Sequence, residues 1–278
     1  MGLARDCARD LPYVFDNIHD MAALFARTGF VFAENDSRDA TPQILRAFGA
    51  HRPLFHCLNF DGIAKRLPER TRRFAFLRNK CISVVRADPD LRGFDYLIVM
   101  DMDDMNNEPL DRNAVVEALA FLDRGEDIAG VFANSRGPYY DMWTLREPRL
   151  CPIDPWEEVF DYALAHRVDD HTAYEQTFAR RIFTLQPDAP PLEVTSAFGG
   201  LGIYKLRYAL QATYKGDKPK EMLRDGKRLR FKWQSCEHVA FNEDIVRRGG
   251  RLFVLPFLCN VTTKNLEFGE SFYRTLIT

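Results

Sequence analysis

The sequence predicts an α/β fold, a mostly parallel central sheet with helices on both faces. Three observations carry that expectation. Short apolar runs alternate with stretches of helical spacing, the connections between them are short, and the most strand-like run, Phe94 to Met100, stops abruptly at Asp101, Asp103 and Asp104. Strands that alternate with helices across short connections are joined by parallel crossovers. In such sheets ligands collect at the carboxyl ends of the strands.

The elements follow in chain order. Val14, Ile18, Ala22 and Phe25 recur at helical spacing, with Asp10 placed to cap their start and Gly29 after them, which predicts a helix from Leu11 to Ala26. Phe30 to Ala33 is a short buried strand, and Thr41-Pro42 opens a second helix that Gly49 closes. Leu54 to Leu58 reads as a strand, Pro68 to Arg86 as a helix with Phe74, Leu77, Cys81 and Val84/Val85 inward, and Phe94 to Met100 as the next strand. Asp111 caps a helix through Leu122, and Ile128 to Ala133 is a strand. Tyr139 to Leu145 reads as another, with Asp141 and Trp143 on one side and Tyr140 and Met142 on the other. Helices at Trp156 to Ala165 and Ala173 to Phe183 come next, then a β-like segment from Leu192 to Tyr204 containing Gly199, Gly200 and Gly202. A helix from Glu237 to Arg247 leads into a strand from Leu252 to Leu255.

Composition narrows the function classes. At 278 residues and 46% hydrophobic, the chain can bury a sizeable core as one large domain or two closely fused ones. Its 38 basic and 40 acidic residues are well mixed and sum to −2, so no basic field points to nucleic acid. The cysteines are scattered without metal-site spacing and read as reduced thiols, and no apolar run approaches a membrane span. With no signal-peptide pattern, the expected location is the cytoplasm, with peripheral membrane association left open.

Asp101, Asp103 and Asp104 are three carboxylates within four residues. Crowded carboxylates raise one another's pKa, so they need solvent or a divalent cation. A strand-end Asp often only caps the next helix, but Asp111 already serves that purpose. Asp101 and Asp103 form a D-x-D pair, Asp104 is a reserve ligand, and hard oxygen donors suit Mn²⁺ or Mg²⁺. A second polar segment, Glu34 to Thr41, follows the Phe30 strand and reads either as a ligand loop or as a turn capped by Thr41. The basic stretch Lys215 to Lys232 reads as a solvated face or as a loop that closes over a diphosphate or an anionic, lipid-linked acceptor.

In order, the chain carries Glu34-Asn35-Asp36-Ser37-Arg38-Asp39-Ala40-Thr41 after a strand, Arg78-Asn79 on a helix, and Asp101-Met102-Asp103-Asp104 after the next strand. That series resembles glycosyltransferases of the GT-A fold, whose inverting, family-2-like members place N-D-x-S-x-D-x-T, R-N and D-x-D-D at these points. Tyr139 to Arg146, Ser196 to Tyr204 and Cys236-Glu237-His238-Val239 look like blocks of the fungal capsule-associated mannosyltransferases and their bacterial relatives.

The resemblance implies a single fused GT-A domain. Its Rossmann-like nucleotide-sugar half would span residues 1–110, and its acceptor-binding, catalytic half residues 111–278. Arg5, Glu34, Asn35, Asp36 and Ser37 would meet the nucleotide, Arg78 and Asn79 the diphosphate or sugar, and Asp141, Gly199 and Gly200 the donor sugar or acceptor. Asp101 and Asp103, with Asp104, would hold the cation. Glu237 would be the catalytic base; because His238 stands where those enzymes have Asp, His238 could instead ligate the metal while Glu237 orients substrate. The implied activity is transfer of a hexose, with mannose as one option, from a GDP- or UDP-linked donor to a carbohydrate or lipid-linked acceptor in polysaccharide synthesis. A non-catalytic sugar- or nucleotide-binding relative and a nucleotidyltransferase are the competing readings. Gly2 to Asp6 looks like the turn after a central first strand, so that strand is expected upstream of Gly2, or its place is filled by another segment.

Overall fold

The computed structural model describes residues 1–224 and 227–263, with Gly269, Tyr273 and Leu276. In chain order it runs β1 (Gly2–Ala4), α1 (Leu11–Ala22), β2 (Phe30–Glu34), α2 (Thr41–Gly49), β3 (Phe55–Asn59), α3 (Ile63–Arg66), α4 (Arg70–Ala87), α5 (Pro89–Arg92) and β4 (Tyr96–Met100). There follow α6 (Arg112–Leu122), β5 (Ile128–Arg136), α7 (Pro155–His166), α8 (Asp170–Gln176), β6 (Leu192–Val194) and β7 (Leu201–Lys205). The described chain closes with α9 (Leu206–Ala209), the hairpin β8 (Asp217–Arg224) and β9 (Lys227–Gln234), α10 (Glu237–Arg247) and β10 (Arg251–Thr262).

Parallel pairing joins β1 to β2 and β2 to β3. The Met1 amino group donates to Ile98 O at 2.7 Å and its carbonyl accepts from Met100 N at 3.0 Å, which seats β1 between β2 and β4. Beyond β4 the order is β7, β5, β10, β6. The whole reads β3-β2-β1-β4-β7-β5-β10-β6, with only β7 and β6 antiparallel to their neighbours. Strand alternation divides the core into the two faces of this one sheet. Leu97, Val99, Tyr204, Leu252 and Val254 pack with α4, α7 and α10 on one side. Leu201, Ile203, Phe253 and Leu255, with Met100, pack with α1, α2 and α6 on the other. Both faces draw on both halves of the chain. No helix among the described residues is long and apolar enough to cross a membrane.

Several expectations are corrected. Gly2–Ala4, read as a turn, is itself a strand at the sheet centre, and it spends the backbone groups of the segment on β2 and β4. Tyr139 to Leu145 is not a strand but a run of turns: Asp141 Oδ1 accepts from Thr144 N at 3.3 Å and from Thr144 Oγ1 at 2.8 Å, a local bond that competes with a ladder. Leu192 to Tyr204 splits into β6 and β7 around a glycine turn, and α1 ends at Ala22. The helix expected from Ala173 to Phe183 is α8 followed by a 3₁₀ turn, Phe178–Arg181. The basic stretch is largely the β8/β9 hairpin, rooted where Thr71 Oγ1 donates to Gly216 O at 2.6 Å, and its residues 225–226 lie outside the described set.

Candidate active site

The carboxyl ends of β1, β2 and β4 face α4, the 140–144 turns and the start of α10 across a cavity of about 410 Å³. Helix α4 sends Arg70, Thr71, Phe74 and Arg78 into it at helical spacing. Arg78 is the hub. Buried to 3% exposure, it donates from Nε to Glu237 Oε1 at 2.9 Å and from one terminal nitrogen to Asp101 Oδ1 at 3.3 Å. Its other terminal nitrogen is buried without a hydrogen-bond partner, and the guanidinium lies over the Phe198 ring at 5.4 Å. A buried, doubly paired cation of this kind is strongly held, because removing either partner strands a charge.

Asp101 keeps 27% of its side chain open to the cleft. Desolvation and the neighbouring Asp103 push its pKa up to about 8, against the pull of Arg78, with Asp141 and Glu237 adding to the rise. Desolvation also raises Asp103, opposed by the bond from Met105 N and reinforced by Asp104 and Asp10. Asp141 is raised by desolvation too, although Thr144 and the Gly199 amide hydrogen-bond to its ionised form. Asp101 and Asp103 after β4 and Asp141 on the opposite turns are all held above the ordinary carboxylate range in one cleft, which makes them candidate functional groups.

Glu237 opens α10 and is 4% exposed. Its Oε1 is tied to Arg78, while Oε2 is left a long contact of 3.9 Å from the Cys236 thiol. His238 is 2% exposed, stacked on Phe198 at 3.8 Å between centroids and edge-on to Tyr214, with both ring nitrogens lacking hydrogen bonds. Burial, with Arg78 beside it, drives the His238 pKa well below the ordinary histidine value, so the ring is neutral. The turns opposite carry Tyr140 and Trp143 into the cleft. Trp143 Nε1 donates to Asp154 Oδ2 at 3.3 Å, and that carboxylate also caps α7 and pairs with Arg146.

Of the residues singled out from sequence, Arg5, Asn35, Arg78, Asp101, Asp103, Asp141, Glu237 and His238 line one cavity. The others are placed elsewhere. Asn79 is committed to the backbone of Tyr214, donating to its carbonyl at 2.9 Å and accepting from its amide at 3.0 Å. Asp104 begins the 3₁₀ turn Asp104–Asn106 and is exposed. Gly199 and Gly200, with φ of 65° and 81°, make the turn into β7; a Cβ on Gly199 would stand 2.4 Å from Ala133 O, so the close approach is to protein backbone. In the loop after β2, Asp36 accepts from Gly62 N at 2.6 Å and Ala64 N at 3.0 Å, and Ser37 Oγ accepts from Asp6 N at 3.1 Å. Glu34 accepts from Ser37 N at 3.0 Å through Oε1, and its buried Oε2 is unpartnered. Among the described residues no three His, Cys, Asp or Glu side chains converge as a ready-made metal cage. Sequence reasoning missed Arg70 and the wall of Trp156, Tyr174 and Phe178; the first was legible as the position two turns before Arg78 on the same helix face.

A second cavity, about 360 Å³, lies at the opposite end of the sheet among Met1, Met21, Phe25, Phe30 and Tyr96. It is mostly apolar, with Asp95 the one carboxylate in its wall.

No protein-family model matches the chain, and no curated protein matches it. Solved structures do. Glucosyl-3-phosphoglycerate synthase from Mycobacterium tuberculosis, in complex with Mg²⁺ and uridine diphosphate, superposes over 99% of this chain and 75% of its own at 13% identity and a TM-score of 0.50. The mannosyltransferase PcManGT from Pyrobaculum calidifontis, in complex with GDP-Man and Mn²⁺, matches over 98% of this chain at 14% identity and a TM-score of 0.51. The chain has the GT-A fold. It spans 59% of the length of the Pyrobaculum protein, and at these identities the likeness is one of fold.

Proposed function

We propose that this GT-A chain is a glycosyltransferase that moves a hexose from a GDP- or UDP-linked donor to a carbohydrate or lipid-linked acceptor, and that Asp101 and Asp103 would hold the Mn²⁺ or Mg²⁺ it uses. The observation that carries the reading is the pairing of a raised-pKa carboxylate couple at the end of β4 with the buried Asp101–Arg78–Glu237 chain. With no third His, Cys, Asp or Glu converging on them among the described residues, Asp101 and Asp103 would suit a cation that completes its shell with phosphate oxygens and water. Such an ion supplies charge neutralisation for the departing nucleoside diphosphate.

The chain's own residues do the rest. Arg78 steers Asp101 and offers its unpartnered nitrogen to a phosphate or sugar oxygen. Arg5 and Asn35 line the nucleotide end of the cleft. Glu237 presents Oε2 as general base: the acceptor hydroxyl gives up its proton there as its oxygen bonds to the anomeric carbon and the bond to the diphosphate oxygen breaks. His238, neutral and stacked, supports Phe198 and Glu237. Mannose and polysaccharide synthesis belong to this proposal through the motif resemblance.

Incubation with a panel of GDP- and UDP-hexoses, with Mn²⁺ or EDTA, tests it. Release of nucleoside diphosphate that needs Mn²⁺ supports the reading. Pyrophosphate release would make the protein a nucleotidyltransferase, and binding without either product a non-catalytic relative.

A further inference from the structure

Three asparagines that the proposed reaction does not use are almost fully buried beside the acidic loop: Asn17, Asn106 and Asn260, at 5%, 1% and 2% exposure. Asn106 Nδ2 donates to Asp101 O at 3.0 Å and to Gly200 O at 2.8 Å, while its Oδ1 accepts from Asn260 Nδ2 at 3.0 Å. Asn260 Nδ2 also reaches Met105 O at 3.1 Å and Gly199 O at 2.8 Å. Asn17, from α1, holds the outgoing end of the loop, donating to Asn106 O and Glu108 O, both at 2.8 Å, and accepting from Leu110 N at 2.9 Å. The register of β10 against β5 shifts between Cys259 and Val261, and that irregularity frees the Asn260 side chain to face the loop.

The arrangement is costly to keep for packing alone, since apolar side chains would fill the same space without polar groups to satisfy. What it fixes is specific. Asp101 N donates to Gly200 O at 2.9 Å, so Asn106 and Asp101 grip the same carbonyl and the loop cannot shift without the glycine turn. That turn carries Phe198 and the Gly199 amide bound to Asp141. Two like-charged carboxylates repel, and a loop left to itself relieves the repulsion by swinging one of them away.

We infer that Asn106 and Asn260 are positioning residues: their buried knot holds Asp101 and Asp103 together against their repulsion in the geometry a divalent cation needs, and ties that loop to the Gly199–Gly200 turn. The inference rests on the proposed cation site. It is tested by Mn²⁺ titration of the full chain in saturating UDP and, separately, GDP, with free Mn²⁺ read by electron paramagnetic resonance and melting temperature measured alongside. Asn106→Ala and Asn260→Ala weaken Mn²⁺ binding by about tenfold or more, as loss of groups that orient metal ligands does elsewhere. Val115→Ala, a buried cavity mutation on α6 away from the cleft, lowers the melting temperature and leaves Mn²⁺ affinity within about twofold of wild type. If Asn106→Ala does not fold, Asn260→Ala and the smaller change Asn260→Ser carry the test. A folded Asn260 variant with wild-type Mn²⁺ affinity, or an equal loss in Val115→Ala, overturns the inference. Wild type that binds Mn²⁺ with neither nucleotide overturns the cation site itself and the knot's role with it.

Discussion

The loops after β2 and after β4 look alike in sequence and behave oppositely in the structure. Each leaves the carboxyl end of a parallel strand, and each is rich in Asp. After β2 the carboxylates are answered from within. Burial pushes Asp36 up, but bonds from Asn35 and the amides of Ala64 and Gly62, with Arg5 nearby, leave it below the ordinary Asp value. Asp39 ends up lowered in the same way, against its desolvation, by bonds from Thr41 and Ala8. After β4 the balance reverses, and Asp101 and Asp103 are raised. Backbone amides hold Asp36 and Asp39 low, whereas desolvation and neighbouring carboxylates hold Asp101 and Asp103 high, the imbalance that the proposed cation would relieve.

The largest effect that sharpens this contrast is on activity. Asp101→Ala is expected to cut donor turnover by about a thousandfold or more, the scale on which lost transition-state charge stabilisation is felt. Asp39→Ala, in the satisfied loop, leaves turnover within about tenfold of wild type and costs roughly 1 kcal/mol, comparable to a lost cap. Equal losses in steady-state assays of the two would break the comparison.

Next is Arg78→Met, which strands Glu237 and Asp101 together. Removal of one member of a buried ion pair costs about 3–5 kcal/mol, read as a loss in urea unfolding. The double variant Arg78→Met/Glu237→Gln recovers part of it if the two are coupled as their 2.9 Å contact implies.

The smaller effect is a pH slope of opposite sign in the two loops. Asp101 carries a folded pKa of about 8, above its unfolded value of 3.8, so the folded state binds the extra proton between them and stability falls as pH rises through that window. Asp36 and Asp39 are lowered, so their contribution is present above the unfolded value and is lost as pH falls through the folded one. In EDTA, the melting temperature of wild type relative to Asp101→Asn therefore drops from pH 5 to pH 8, an interval chosen inside that window, and Mn²⁺ with nucleotide removes the drop. A flat difference would remove the electrostatic argument for the cation.

Much of this was legible in the sequence, and the exceptions have physical reasons. The alternation through Met100 located β2, β3 and β4 with α1, α2 and α4, because each buries a face with its own period. The stretch after β5 was harder. Tyr139 to Leu145 has strand-like composition, yet Asp141 and Thr144 close a local turn, and tertiary contacts rather than propensity place them. Asn79, although next to Arg78 on the same helix, points a different way, to the backbone of Tyr214. The aromatic wall from α7, α8 and the 3₁₀ turn after it was invisible, since its members meet the cleft only after the chain has folded around the sheet. Nothing in the spacing of Asn106 and Asn260 announced that they meet.

The most direct test is nucleoside diphosphate release from GDP- and UDP-hexoses by wild type, Asp101→Ala and Asp39→Ala side by side, with and without Mn²⁺. The expected result is Mn²⁺-dependent release by wild type and Asp39→Ala and none above background by Asp101→Ala. Release by Asp101→Ala at the wild-type rate, or release by wild type that ignores Mn²⁺, would contradict a sugar-transfer site built around the end of β4.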